Sequence, residues 1–526
     1  MDKIYDFSND KLLNRPLGGT DRKNPVEHNG VAYMLKYTEV HAKKGDMSTS
    51  HLNSITSEYI SSHISASTGL DTHHTLLGYR NGEAVVACQD FRQPYESNIE
   101  FGEYVRGLYT MEEIGRVLRL DQIYGTIKNA SNIPEELKQP SIDRYWDTFV
   151  IDALVGNFDR HKGNWGYIAG PDDSLRLAPV YDFGSALLPQ LSDSGAKDII
   201  NDPFRMAERC LVFPSPALFI GTEKNGKPGY YDLLASGFDE NCTRALLRMA
   251  PKINMDKMNQ IIEETPFISN IKRIFYKKYI ALRKALVIDR AYERCMNRDF
   301  DLDALNRIQS GNQYSKSMLA EDLKSGKLSF SFDTHTHLEN ELIVYAGIPG
   351  AGKNEAAQKY LYSSPGTAYI RTNDIREEMN HFRDENGLID LSAKGCTLIS
   401  SDVFENAYQR MRAALKDAKD VVFVATNLDK ESRQRVLNAV HGIPDVRNHL
   451  VVIYQDPEKA KSDEPGNILR NKAIKLHNNP PQKEEGWDSI KILGIDPYRN
   501  RGYIPETPGF SDERSNKNAD RDSFSR

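Results

Sequence analysis

The spacing of apolar positions changes character along the chain. Up to about residue 100, short apolar runs are entered from turn residues. Val31–Leu35 follows Asn29-Gly30 and Ala84–Cys88 follows Asn81-Gly82, which predicts strands leaving tight turns. Between them, Ile60 and Ile64 within residues 54–66 fall at helical spacing. From about 111 to 300 helical patterns dominate, as in 143–156 and 271–297. Residues 301–337 are polar, rich in Ser, Asp, Asn and Lys, and predict a connector. Apolar runs then return at Leu342–Ala346, Val421–Ala425 and Leu450–Tyr454. Helical stretches separate them, an alternation that predicts a parallel sheet. The last residues, 511–526, have almost no apolar side chain and predict disorder. The expected organisation is therefore a domain over 1–300, a connector over 301–337, a second domain over 338–500 and a tail over 501–526.

Composition narrows the choices only a little. A chain of 526 residues exceeds what one core holds. A net charge of −6 supplies no chain-wide basic field for nucleic acid. The five cysteines lack metal-ligand spacing and read as reduced thiols. Neither a leader-like start nor an apolar run of membrane-spanning length is present, so the expectation is a cytoplasmic chain with no membrane partner. Export as an effector is left open.

Chemistry enters at residues 156–166, Gly-Asn-Phe-Asp159-Arg-His-Lys-Gly-Asn164-Trp-Gly, and at Tyr181-Asp182-Phe183-Gly184. An Asp followed five positions later by Asn, with Asp-Phe-Gly downstream, is the acidic set that phosphoryl transfer to a hydroxyl needs. One carboxylate, Asp159, must orient the hydroxyl and accept its proton. Asn164 and Asp182 must hold the Mg²⁺ ions that bridge the phosphates of ATP. Each motif alone also fits a turn or a helix cap.

The segment resembles the HipA-like kinases, and the compact members among them. These carry G-N-x-D-R-H-x-x-N where other protein kinases have H-R-D, and they lack A-P-E. The resemblance runs over about residues 10–300 and implies an α+β bilobed protein-kinase-like domain. It implies that Lys36, in Met34-Leu35-Lys36-Tyr37, binds phosphate, and that Glu58, in Ser57-Glu58-Tyr59-Ile60, is its partner. It places Gly18, Gly19 and Thr20 in a nucleotide-covering loop, where Thr20 is also a candidate for self-phosphorylation. It places Gln89 in the stretch linking the lobes, where backbone groups would read adenine. His161 is expected to orient the loop and not to transfer protons. The resemblance further implies a Ser/Thr-bearing protein substrate, a toxin-type role and an antitoxin-like neutralising partner.

A second constellation, Gly347-Ile-Pro-Gly350-Ala-Gly352-Lys353-Asn354, follows an apolar strand and precedes a helical stretch. Backbone N–H groups, a lysine and a helix N-terminus arranged this way cradle phosphates. About 340–495 resembles the polynucleotide kinase and zeta-toxin group of P-loop kinases, which implies an α/β three-layer P-loop domain. Asp374, in Thr372-Asn373-Asp374, then stands where that group prepares an acceptor hydroxyl. Arg470 stands where a lid arginine reaches phosphates, and Glu485-Gly486-Trp487-Asp488 echoes a late motif of the group. Two positions depart from the pattern: Asn354 replaces a metal-binding hydroxyl and Val424 a carboxylate. The expected function is therefore ATP-dependent Ser/Thr protein phosphorylation by the first domain; the alternatives make the second domain a kinase of RNA, DNA or sugar-nucleotide hydroxyls, or a nucleotide-gated module regulating the first.

Overall fold

Asn29 and Gly30 have φ of 50° and 78°, and Asn81 and Gly82 have 52° and 83°. Two consecutive left-handed residues make the hairpin turn whose twist matches that of the strands. The Asn-Gly pairs thus set the register of both hairpins. The computed structural model describes residues 4–14, 22–38, 53–221, 226–334, 336, 339–363, 367–385, 400–417 and 419–502. Gly18, Gly19, Thr20 and the tail from 503 onward lie outside the described residues. The chain divides into two units, Met1–Thr336 and His337–Arg526.

In the first unit, strands β1 (Tyr5–Asp6), β2 (Lys11–Leu12), β3 (Lys23–His28), β4 (Val31–Tyr37), β5 (Thr75–Arg80) and β6 (Glu83–Gln89) form one sheet. Its order is β1-β5-β6-β4-β3-β2. Tyr33, Leu35 and Tyr37 share one face with Phe7, Val26, Val85 and Ala87 in a buried cluster. Alternation along β4 therefore turns Lys36 to the opposite face. There helix α1 (Ser54–Ser67) packs across β5 and β6 and carries Glu58. This is the expected small lobe.

The larger lobe is mostly helical. The helix Glu135–Val155 ends at Gly156, in the left-handed conformation. Its carboxyl end feeds the segment 157–165 into a small sheet of β7 (Ser97–Glu100), β8 (Gly166–Ala169) and β9 (Leu175–Leu177). The expected helix over 271–297 runs as Asn270–Arg283, a π-helical stretch Lys284–Asp289 and Arg290–Asn297. Among the described residues no helix is long and apolar enough to cross a membrane, and four cysteines are free and buried.

Residues 301–336 correct the expectation of a connector. They form helices Leu302–Ser310 and Lys316–Ser325, capped by the side chains of Asp301 and Ser315. Ala304, Ile308, Leu319 and Leu328 are buried, and the two helices pack on Tyr230–Ala235 and Pro203–Leu211, so the stretch is part of the first unit. Arg307 grips the buried Asp232 at 2.6 and 3.1 Å. Asn201 exchanges hydrogen bonds with the Thr336 backbone. The stretch reads as polar because so few apolar residues make the contact.

The second unit is built on a parallel sheet of β10 (Asn340–Ala346), β11 (Ala368–Arg371), β12 (Val421–Val424), β13 (Val446–Ile453) and β14 (Ser489–Leu493), in the order β11-β12-β10-β13-β14. Crossover helices include Lys353–Ser363 against β10 and β12, and Ser400–Lys416 against Lys430–Val440. The chain leaves β10 toward β11 on one side and β13 toward β14 on the other, and crossovers of opposite direction place helices on both faces of a parallel sheet, the three-layer α/β arrangement. The loop after β10 lies at the carboxyl edge, beside the point where the strand order reverses.

Candidate active site

Strand β4, helix α1 and the segment after β9 converge in the first unit. Lys36 Nζ donates to Glu58 Oε2 at 2.9 Å and to Asp182 Oδ1 at 3.2 Å. Burial alone would lower the lysine's pKa, but Asp182 and Glu58 outweigh it and hold the ammonium well above its usual range. Glu58 is 1% exposed. Burial would push its carboxyl up, but Lys36 and His73 hold it ionised far below the ordinary carboxylate range. His73 Nε2 lies 3.0 Å from Glu58 Oε1, which also accepts from Phe183 N at 3.0 Å. One buried carboxylate thus fixes the strand lysine, the helix and the Asp-Phe-Gly segment together. Asp182 has φ of 64°, a strained conformation for a non-glycine residue.

The segment 157–165 is organised from beneath. Asp159 O accepts from Asn164 Nδ2 at 2.7 Å and from His161 N at 2.8 Å. With its amide nitrogen so engaged, the side-chain oxygen of Asn164 is the atom that could meet a metal. The Asp159 carboxylate projects from the loop and meets Arg116 at 3.2 Å, on a largely exposed guanidinium. His161 Nδ1 accepts from Gly163 N at 3.0 Å, the orienting role expected of it.

Sequence reading passed over Asp152, Asn157 and the anchoring role of Arg160. Arg160 donates to Asp152 at 2.9 and 3.1 Å, to Asn164 O at 3.0 Å and to Tyr181 O, and lies 4.7 Å from the Phe183 ring. Asn157 Nδ2 donates to Asp152 Oδ1 at 2.9 Å. A usable signal was present. Asp152 is a lone carboxylate in Phe149-Val-Ile-Asp-Ala-Leu-Val155, and a buried carboxylate needs a cation. At Gln89 the N–H donates to His74 O at 2.8 Å and that of Asp90 to Ala32 O at 2.9 Å, so both of these main-chain donors are engaged within the protein.

Asn164, Asp182 and Lys36 suit Mg²⁺ and triphosphate, with oxygen donors for a hard cation and an ammonium for the phosphates. In the second unit, Lys353 Nζ folds back onto Gly347 O at 2.9 Å and Ile348 O at 2.7 Å. Burial, then the neighbouring charge of Lys472, lowers its pKa to about 8. Asn354 stands exposed at the helix start, and Val424 is buried in the sheet core. Asp374 is gripped through both oxygens by Arg371, a partner the sequence reading did not name. Arg470 is largely exposed and bonds Glu458 at 3.2 Å. Glu485 of the late motif is a buried anchor, accepting from Arg433 at 2.7 and 2.6 Å and from Trp487 Nε1 at 3.1 Å.

Comparison with known proteins agrees with both halves. Residues 16–265 match the HipA-like C-terminal domain, and residues 342–463 match an AAA domain. The serine/threonine-protein kinase CtkA of Helicobacter pylori (strain J99 / ATCC 700824) is 34% identical over 308 residues, 58% of this chain and 90% of that protein. The crystal structure of a Helicobacter pylori proinflammatory kinase CtkA matches with a TM-score of 0.53 at 31% identity, over 57% of this chain and all of that one. A gluconokinase from Sinorhizobium meliloti 1021 is 12% identical over 31% of this chain and 86% of its own, with a TM-score of 0.21, a likeness that carries no argument about activity. The chain belongs to the HipA-like serine/threonine protein kinases, and its enzyme unit is followed by a nucleotide-binding P-loop domain.

Proposed function

We propose that the cleft of the first unit works with ATP and Mg²⁺ and phosphorylates a serine or threonine of a protein. The observation that carries this reading is the bridge of Lys36 between Glu58 and Asp182, the arrangement required to align α- and β-phosphates beside the metal-binding carboxylate. Asp159 receives the proton of the attacking hydroxyl, Asn164 and Asp182 hold Mg²⁺, and Lys36 steadies the phosphates. Bound ATP supplies the γ-phosphoryl group, whose bond to the β-phosphate oxygen breaks as the new ester forms. Arg116, now on Asp159, swings aside for the substrate. Family membership supports a toxin-type kinase restrained by an antitoxin-like protein. Radiolabelled ATP with wild-type protein and Asp159→Asn tests the assignment. Label on the wild type alone, on Ser or Thr, is expected, and equal label on both overturns it.

For the second unit we propose nucleotide binding with slow turnover, in support of the first. Lys353 and the glycine cradle are in place, but Asn354 is an amide where a hydroxyl is usual and Val424 offers no carboxylate. Rapid phosphorylation of 5′-hydroxyl RNA by the Asp159→Asn protein would favour the polynucleotide kinase reading instead.

A further inference from the structure

The segment between β13 and the helix Gly466–Asn478 lies against the glycine loop. Lys461 N donates to Gly350 O at 3.3 Å. The backbone N, C and O of Lys461 stand 2.5–2.7 Å from where a β-carbon on Gly350 would be. Only a residue without a side chain allows the two backbones to meet so closely. Three residues further on, Glu464 places both carboxylate oxygens on Lys472 Nζ, at 2.7 and 2.6 Å.

The helix face carrying Lys472 can be followed. Lys475, one turn on, reaches Asp429 at 2.6 Å. Asp429 caps the helix that follows β12, the strand next to β10. Lys472 and Lys475 therefore face the carboxyl edge of the sheet, where the glycine loop lies. Arg470, two residues away and about 200° round the helix, points elsewhere, to Glu458. Burial first, and then the charge of Lys472, depress the pKa of Lys353, so the two ammonium groups lie within reach of each other's field.

Two ammonium groups sharing one field, with a carboxylate on one of them, is what a phosphate site looks like when an internal anion occupies it. We propose that Lys472, and not Arg470, is the second phosphate-binding cation of this P-loop, and that Glu464 occupies it as a built-in competitor which nucleotide phosphates displace. The inference rests on the reading of the second unit as a nucleotide site. Displacement frees Glu464 and loosens the 456–464 segment from Gly350, so phosphate binding and movement of this segment are coupled.

Full-length protein carrying Lys36→Met and Asp182→Ala, which disable the first site, is titrated with ATP by calorimetry. In that background, Lys472→Met should weaken binding about tenfold and Lys472→Arg should retain most of it, whereas Glu464→Gln should tighten binding about threefold or more. Arg470→Met should stay within about twofold of the background. If Lys353→Met abolishes binding while Lys472→Met or Glu464→Gln leaves it unchanged, the inference falls and the nucleotide site stands. An Arg470→Met loss as large as that of Lys472→Met also overturns it. Absence of binding in every variant overturns both the inference and the nucleotide site. Should Lys472→Met fail to fold, as read by circular dichroism, Glu464→Gln decides the matter, because weaker or unchanged binding there refutes the competitor.

Discussion

Arg160 forks its guanidinium onto Asp152, eight residues earlier at the end of the preceding helix, at 2.9 and 3.1 Å. The same guanidinium also reaches the carbonyls of Asn164 and Tyr181, the residue before Asp182. It ties the helix, the segment 157–165 and the Asp-Phe-Gly segment to one planar group. A lysine offers a point charge and cannot fork. Arg160→Lys should therefore lower kcat by at least about tenfold with a smaller change in KM for ATP. Steady-state kinetics with an unchanged far-ultraviolet spectrum checks this, and wild-type kcat refutes it.

Asp159→Asn keeps the size of the side chain and removes the proton acceptor. Phosphate transfer should fall by about two to four orders of magnitude, while calorimetry shows ATP affinity within about threefold of wild type. Asp182→Ala should differ by weakening Mg²⁺-dependent ATP binding itself. Unchanged MgATP affinity in that variant removes Asp182 from the metal.

Lys36→Met leaves Glu58 buried with His73 and Phe183 N but without its nearest cation. Removing one member of a buried pair costs about 3 kcal/mol, so the first unit should melt several degrees lower as well as lose activity. In Lys36→Met with Glu58→Gln the second change should restore stability but not transfer. Differential scanning calorimetry of the single and double variants separates the two effects.

The lowered pKa of Lys353 sets a pH window. The free lysine is protonated below about 8, and phosphates bind the protonated form. Affinity of the second unit for ATP should be level below about pH 7 and fall as pH rises through 8, by up to about tenfold per unit until the bound lysine titrates. The charges facing Lys353 are Lys472, Glu464 and Glu355. Lys353→Arg should flatten the profile, and a flat wild-type profile refutes the assignment.

Motifs that act through the main chain or through a fixed spacing were legible in the sequence. The two Asn-Gly turns, the Asp159-to-Asn164 interval and the glycine loop each carry their constraint within a few residues. The Lys36–Glu58 pair spans 22 residues and became readable only by family resemblance. What escaped was pairing across long separations. Asp232 with Arg307 and Arg433 with Glu485 hold elements together over 75 and 52 residues. In the sequence each is one charged residue among many. Gln89 shows a limit of another kind, because strand pairing decides which N–H groups remain free for a ligand.

The grip of Arg307 on Asp232 also decides where the enzyme can be cut out of the chain. A fragment ending at residue 300 would keep Asp232 without its cation and leave the sites of Ala304, Ile308 and Leu319 bare, a loss of about 3 kcal/mol from the ion pair alone. Any excision that keeps the enzyme intact must carry its two polar helices along, so the cut belongs after Thr336 and not at the end of the last long helix.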